Sequence, residues 1–417
     1  MDNKQVSQLS PKPNQTISLF DLAIFNKSKY VIKPFDSIVI DFFDSISKSI
    51  LSNKSINSLP EIAALGFWLR KANLLKLKEE NKHLFFSEIY QTSPLGKVFH
   101  ICPANVDTMF IYSLTVSVLM GNKNLLRVSS RMDAPHVSML FDILNKTIQQ
   151  EKFTDFSNYI NIISYPHNDK ISTYISENVN ARVIWGGDQT INTFKGFNAA
   201  PRTKDIVFAD RVSMLCIDCK SFNHLQNDDL KVVLRNFYND AYTFDQMGCS
   251  SPQTIYFIGN NNDYQTCINK FQNEVSKYLH TYYANDIASL ASLKLNRMVD
   301  DAIDNILVSQ KGDNYLKLIE LNREIDETKL HGCGGGYFYI KHIESAIELN
   351  SLHHPKVQTI CYFGLTKNDL RILFDLSNGE GIDRIVPLGQ ALNFNYVWDG
   401  YNLFDELSKK VFIKNGL

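Results

Sequence analysis

The chain has 417 residues, 44% of them hydrophobic and 21% charged, with a formal net charge of −1. The composition is ordinary for a globular protein, and the length favours about two or three domains with a core that needs no staples. So weak a charge excludes the strong basic field that wholesale nucleic-acid binding requires. Seven cysteines are scattered without CxxC or Cys/His spacing. Neither a disulfide framework nor a metal site is therefore expected; reduced thiols in a cytoplasmic protein are.

The opening residues, MDNKQVSQLSPKPNQTISLF, hold no apolar run of the secretory kind. Residues 1–60 are polar, rich in Ser, Asn and Lys, and read as a loosely packed leader of short strands and helices. From Lys97 the pattern changes. KVFHIC reads as a buried strand, and the stretch from Asp107 to Met120 as a buried helix. Its apolar part is too short to span a bilayer, which needs roughly 20 residues, so no membrane span is expected. NLLRV is a strand, followed by a helix capped by Asp133 and running to about Gln150. YINIISY is a strand, NDKISTYISENV a helix and ARVIW a strand; a helix from Gln189 precedes the strands DIVF and SMLCI. Alternation of this kind predicts βαβ units and a parallel sheet.

Leu230, Val233, Phe237, Ala241 and Phe244 recur in steps of three and four, which predicts an amphipathic helix capped by Asp228 or Asp229. QTIYFI follows as a strand, then a helix containing Cys267, Phe271, Val275 and Tyr278. From Met298 to about Asn350 the signal weakens, apart from the glycine-rich turn and strand HGCGGGYFYIK. KVQTICYFG reads as a strand, with a helix from Lys367 and a last helix around Leu403 to Phe412.

Cys249 stands out within FDQMGCSSPQTIYFIG. It lies on a turn of small residues between a helix and a strand. Such a place gives a thiol access and free backbone N–H groups, as a nucleophile needs; the alternative is a cysteine packed at a tight turn. The other cysteines sit in apolar runs or on helix faces and read as structural, with Cys333 in its glycine loop the one rival. In HICPANVDTMF, Asn105 lies between a strand and a helix, either as an N-cap or as an amide donor at the strand's carboxyl end. In NLLRVSSR, Arg127, Ser129, Ser130 and Arg131 end a strand, either holding a ribose phosphate or forming a solvated loop. Gly186 and Gly187 lead from a strand into a helix, a weak form of phosphate-binding turn. DRIVPLGQALNFNYVWDG is distinctive, but its letters alone dictate no chemistry.

Taken in order, CPANVDTMF, GNKNLLRVSSR, RVIWGGDQTI, GCSSPQTIYF, VQTICYFGL and DRIVPLGQALNFNYVWDG resemble the LuxC-type acyl-CoA and acyl-protein thioester reductases. That family belongs to the aldehyde dehydrogenase superfamily and supplies aldehyde in bacterial bioluminescence. The resemblance runs from about Pro103 to Gly400. It implies an α/β fold like aldehyde dehydrogenase: two doubly wound α/β domains with the active site in the cleft between them. Beyond the leader, it implies a nucleotide-binding domain over 61–245, a catalytic cysteine domain over 246–375 and a return segment over 376–417.

It also implies an enzyme: NADPH-dependent reduction of a fatty acyl thioester, from acyl-CoA or an acyl-protein, to the aldehyde. Cys249 would carry the acyl group, and the Asn105 amide with the Cys249 backbone N–H would form the oxyanion hole. Arg127, Ser129, Ser130, Gly186, Gly187 and Gln358 would bind the cofactor. A homo-oligomer and an acyl-protein synthetase partner are implied as well. Hydrolytic aldehyde dehydrogenases carry a water-activating glutamate in a Glu-Leu-Gly-Gly stretch; the corresponding segment here, DIVFADRVSML, has none, and Ala209 stands where the reductase pattern has glycine. The alternatives are a CoA-acylating aldehyde dehydrogenase of the same fold and a non-catalytic scaffold or carrier subunit.

Overall fold

Runs such as ARVIW and SMLCI are mostly apolar, and their residues are buried at every position, so they cannot lie on a sheet with one wet face; each forms an interior strand flanked by parallel neighbours. A computed structural model gives the fold and describes residues 5–26, 31–85, 87, 89–103, 108–129, 134–283, 287–322, 332–352, 354–377 and 379–414. Two compact units result: Met1–Ala209 with Phe394–Leu417, and Asp210–Asn393.

The first unit contains β1 (Gln5–Ser10), β2 (Gln15–Ser18), β3 (Tyr90–Pro94), β4 (Lys97–Ile101), β5 (Lys123–Arg127), β6 (Ile160–Ser164), β7 (Ala181–Trp185) and β8 (Lys204–Phe208). Its main sheet has the order β2-β1-β6-β5-β4-β7-β8, parallel from β6 to β8, with β1 antiparallel to both β6 and β2. Alternate residues feed two cores. Val98, Leu126 and Val183 join one, and Phe99, Leu125 and Ile184 the other. The helix Met109–Leu119 is buried along its whole length, as its letters predict.

Among the described residues of the first 60, the packing is not loose. Phe35, Val39, Phe42, Phe43, Ile46 and Ile50 are fully buried in the larger core, most of them on one face of the helix Ser37–Ser52. The helix expected from Asp133 runs Pro135–Ile148 with Ala134 as its N-cap and Pro135 in its first turn, a position where proline costs no hydrogen bond. Asp133 lies outside the described residues.

The second unit contains β9 (Val212–Asp218), β10 (Pro252–Ile258), β11 (Leu307–Gly312), β12 (Lys317–Leu321), β13 (Tyr337–Ile343), β14 (Val357–Phe363) and β15 (Arg384–Pro387). They form one sheet in the order β11-β12-β13-β10-β9-β14-β15, parallel except for β11. The compact units therefore divide the chain elsewhere than the expected boundaries near 245 and 375. β9 hydrogen-bonds to β10 and β14, which draws residues 210–245 into the second unit, and β15 on β14 draws in 376–393. The amphipathic helix runs Asn227–Tyr242 with Gln226 at its N-cap; Asp228 and Asp229 lie in its first turn instead of capping it. The weak region after Met298 holds the end of a helix, Ile287–Ile303, then β11, β12 and β13.

The chain then returns to the first unit with β16 (Val397–Trp398), β17 (Tyr401–Asn402) and β18 (Ser408–Phe412). The expected last helix is one turn, Leu403–Glu406. β18 takes the rest by pairing antiparallel with β3, and the backbone ladder outweighs local helix preference.

Candidate active site

In the second unit the cysteine turn is built from the helix that precedes it. After Tyr242 the backbone passes through left-handed conformations at Asp245 (φ 49°) and Gln246 (φ 64°). Gln246 is buried, and its side chain fills all its hydrogen-bonding capacity. Nε2 donates to the carbonyls of Pro252 (3.0 Å) and Tyr337 (2.9 Å), and Oε1 accepts from the N–H of Gly336 and of Tyr337, each at 3.0 Å. The glycine loop ahead of β13 closes on the same turn. Gly335 N–H donates to Asp245 O, and a Cβ at Gly334 would lie 2.7 Å from that oxygen.

Gly248 to Ser251 then form a β-turn, with Ser251 N–H donating to Gly248 O at 2.9 Å, so Cys249 occupies the turn's first corner. Cys249 is exposed. Five of the other cysteines are buried and Cys333 is intermediate. Burial holds the thiols of Cys102, Cys216 and Cys333 above their usual range, which disfavours thiolate there.

Side chains at the N-terminal ends of the parallel strands meet Cys249 and its neighbour Ser250. Ser213, at the start of β9, donates its hydroxyl to Cys249 O at 2.7 Å and accepts the Thr359 N–H at 3.2 Å. Gln358, at the start of β14, donates from Nε2 to Cys249 Sγ at 3.5 Å. Its Oε1 accepts from the hydroxyls of Ser250 (3.0 Å) and Thr359 (3.4 Å). Arg384, at the start of β15, donates from Nη1 to Ser250 Oγ at 3.3 Å and to Ala391 O at 3.0 Å. Asp240 holds the Gly389–Ala391 segment by accepting the N–H of Gly389 (2.6 Å) and of Ala391 (3.0 Å). Burial pushes its carboxyl up to about 6, against the pull of those N–H groups and of Arg384.

Gln358, expected on the cofactor, thus lies beside the cysteine sulfur. The sequence by itself does not mark Gln246, Ser213, Ser250 or Arg384 for this site. Their partners lie far along the chain, and only the Arg384 stretch carries distinctive letters.

In the first unit the other expected residues gather at one sheet end. β5, β4 and β7 are neighbours, and Ile101 pairs with both Arg127 and Ile184. The chain leaves β4 for β5 on one side and later returns with β7 on the other, the reversal at which open α/β sheets form a crevice. Arg127, Ser129, Gly186 and Gly187 all follow or end these strands. The Arg127 guanidinium lies 4.7 Å over the Tyr165 ring; Nη2 reaches Tyr165 O at 3.5 Å, while the buried Nε has no hydrogen-bond partner. Gly187 is the N-cap of the helix Asp188–Gly196, and a Cβ there would meet nothing within 4 Å. A Cβ on Gly186 would crowd Thr190 at 3.1 Å. A donor-rich side chain with an unfilled N–H and an uncovered helix N-terminus, at the same end of strands two places apart in one sheet, fit a phosphate-bearing cofactor. Asp188 in the helix's first turn is the one unfavourable charge. Asn105, Ser130 and Arg131 lie outside the described residues.

Among the described residues, no group of three or more His, Cys, Asp or Glu side chains is placed to hold a metal ion, and no helix is long and apolar enough to cross a membrane.

The family described as acyl-CoA reductase (LuxC) matches residues 71–410. A long-chain acyl-protein thioester reductase of Photorhabdus laumondii is 25% identical over 171 residues, which is 40% of this chain and 33% of that protein. One from Aliivibrio fischeri is 21% identical over 194 residues, 46% of this chain and 37% of that protein. The matched stretch thus spans about a third of the length of these relatives. Among solved structures, lactaldehyde dehydrogenase from Escherichia coli covers 90% of this chain and 86% of its own, with a TM-score of 0.62 at 11% identity. Glyceraldehyde-3-phosphate dehydrogenase GapN from Methanocaldococcus jannaschii, complexed with NADP, covers 90% and 89%, with a TM-score of 0.63 at 14% identity. The fold is that of the aldehyde dehydrogenases, and the chain belongs to the acyl-CoA reductase (LuxC) family.

Proposed function

We propose that the chain reduces a fatty acyl thioester, acyl-CoA or an acyl-protein, to the aldehyde, with NADPH as reductant and Cys249 as the acyl carrier. The observation that carries this reading is an exposed cysteine on a turn, with an amide donating to its sulfur, in a chain of the acyl-CoA reductase family. The Cys249 thiolate attacks the thioester carbonyl and the donor thiol leaves as thiolate, giving an acyl-enzyme. The backbone N–H of Cys249 and the Asn105 amide are the proposed oxyanion donors; removing one such donor typically costs about 2.7–4 kcal/mol of barrier. A nicotinamide, when bound, supplies the hydride that converts the acyl-enzyme to a thiohemiacetal. The Cys249 sulfur then leaves as thiolate and aldehyde is released.

Gln358 suits both its expected and its observed surroundings, because a group that touches the sulfur is also close to where hydride must arrive. Arg127, Ser129 and Ser130, with Gly186 and Gly187, are the proposed phosphate contacts of the cofactor. A homo-oligomer, a partner acyl-protein synthetase and a cytoplasmic location belong to the same proposal.

The test is purified protein with a long-chain acyl-CoA and NADPH, followed by absorbance of the reduced cofactor, beside Cys249→Ala. Loss of absorbance with aldehyde formed, abolished by the substitution, supports the reading. Acyl label on Cys249 without turnover keeps the nucleophile and rejects the donor or cofactor. Absence of label moves the reading to a non-catalytic subunit.

A further inference from the structure

We infer that Arg384, Ser250 and Gln358 form a directional hydrogen-bond relay that aims an amide N–H at the Cys249 sulfur and so favours its thiolate. The inference rests on the reading of Cys249 as nucleophile and adds to it the groups that activate the thiol. Its direction follows from what each group can do. A guanidinium has donors only, so Ser250 Oγ must accept from Arg384 Nη1 across their 3.3 Å contact. The Ser250 proton then points the other way, to Gln358 Oε1 at 3.0 Å. Thr359 Oγ1 donates to the same oxygen at 3.4 Å. With Oε1 accepting from both hydroxyls, the NH2 end of the amide faces Cys249 Sγ at 3.5 Å, the orientation that a thiolate, which only accepts, requires. Ser250 and Gln358 are each 1% exposed and Arg384 is 8% exposed, so the relay runs beneath the surface and delivers the influence of a buried cation to an exposed thiol.

The rest of the setting keeps the relay in place. Arg384 is held by the carbonyls of Ala391 (3.0 Å) and Gln390 (3.4 Å), on a segment that Asp240 fixes through two N–H groups. Among the described residues, Arg384 and, behind it, Asp240 are charged groups that face the relay. The peptide of Cys249 is tied separately, through Ser213, to the backbone beside Gln358. Main chain and sulfur are thus both referred to the start of β14. Gln358 touches the reacting sulfur; Ser250 and Arg384 act through it and are positioning residues.

The experiment is alkylation of Cys249 by iodoacetamide as a function of pH, with Cys249→Ala defining the background from the other thiols. It needs neither acyl donor nor cofactor. Gln358→Glu, which keeps the size and replaces the N–H by a carboxylate, should raise the midpoint of the rate profile by about one unit or more and slow alkylation at pH 7 about tenfold. Gln358→Met should shift it in the same direction by less. Ser250→Ala should shift it too, and Ser250→Thr, which restores the hydroxyl, should bring it back. A residue that only packs would not move the midpoint. Midpoints unchanged in Gln358→Glu and in Ser250→Ala, with thermal unfolding like the parent's, would overturn the relay. If the parent fails to reduce acyl-CoA while the midpoints shift as stated, the reductase reading fails and the relay stands. If Cys249 is acylated while the midpoints do not move, the reverse holds.

Discussion

His100 Nδ1 lies 2.7 Å from the Ser113 hydroxyl, inside the first unit, and the protons around this pair can be placed. Asn124 turns its Oδ1 to His100 Nε2, which must carry the proton, so Nδ1 of the neutral ring accepts from the Ser113 hydroxyl, whose oxygen also accepts the Trp185 Nε1–H at 3.1 Å. His100 Nε2–H then donates to Asn124 Oδ1 at 3.0 Å, and Asn124 Nδ2 donates to Asn122 O at 2.7 Å. The network holds a neutral imidazole, and burial lowers its pKa to about 4. An unfolded chain takes up that proton below about 6.5, so between about 6.5 and 4 the unfolded state binds more protons and stability falls as pH falls. The first unit should lose about 2–3 kcal/mol between pH 7 and pH 4.5 from this residue. All three tryptophans, Trp68, Trp185 and Trp398, lie in that unit, so denaturant unfolding read by tryptophan fluorescence reports on it. His100→Gln should start less stable at pH 7 and lose less on acidification; an equal loss in both proteins would assign the acid sensitivity to other groups.

Arg182 joins two strands and two helices of the same unit. Its Nε and Nη2 donate to the two oxygens of Asp205, each at 2.7 Å, and Nη1 donates to Phe194 O at 2.7 Å and Ser176 Oγ at 3.2 Å. Arg182 is 4% exposed, so removing its partner leaves a buried cation. Asp205→Ala is expected to cost the unit about 3–5 kcal/mol, whereas replacing both residues by leucine should cost far less, because desolvation offsets much of what a buried pair contributes. A double variant as unstable as the single one would mean that the bonds to Phe194 and Ser176, not the ion pair, dominate.

Most of this architecture is legible in the letters, because buried parallel strands are mostly apolar and the helices between them keep their period. Cys249 is legible for the opposite reason: a thiol among Gly and Ser does not belong to a core. What the letters hide is contact at a distance. Gln246 reads as an ordinary polar residue before a turn, yet it bonds to the backbone 91 residues later. The glycine run before Tyr337 reads as a loop entering a strand, and its close approach to Asp245 shows only in three dimensions. SKKVF near the end follows an apolar stretch and reads as helix until β3 supplies its ladder. Asn105 and Arg131 fall outside the described residues, so their expected roles rest on the sequence.

Gln246 sets the height of the cysteine turn, which makes its side-chain amide a test of the turn's rigidity. Gln246→Met keeps the length and removes four hydrogen bonds: two from backbone N–H groups and two to carbonyls. Each buried backbone group left unpaired costs about 1–3 kcal/mol, so the second unit should lose at least about 3 kcal/mol in denaturant unfolding. Local opening should also appear before global unfolding, as cleavage by protease near Met247 at denaturant concentrations that leave the parent intact. A variant with parent-like stability and no new cleavage would show that water replaces the amide at no cost.

Arg127 offers the test of cofactor choice. Its guanidinium stacks over Tyr165 and already spends one N–H on the Tyr165 carbonyl, so it is anchored while Nε is left without a partner. An anchored cation at the end of β5 costs little to order when a phosphate arrives, and a bond between charged groups contributes about 1.5–3 kcal/mol. In the proposed site that phosphate is the 2′-phosphate of NADPH, which NADH lacks. Arg127→Ala should therefore weaken NADPH binding by about tenfold or more, measured by quenching of tryptophan fluorescence, and leave NADH binding within about twofold. The parent's preference for NADPH should also shrink as salt is raised, since the contact of a partly exposed cation with a phosphate is screened, and the variant's should not. Equal weakening of both cofactors would instead place Arg127 on a part they share, such as the pyrophosphate, and the basis for NADPH would have to be sought in other residues.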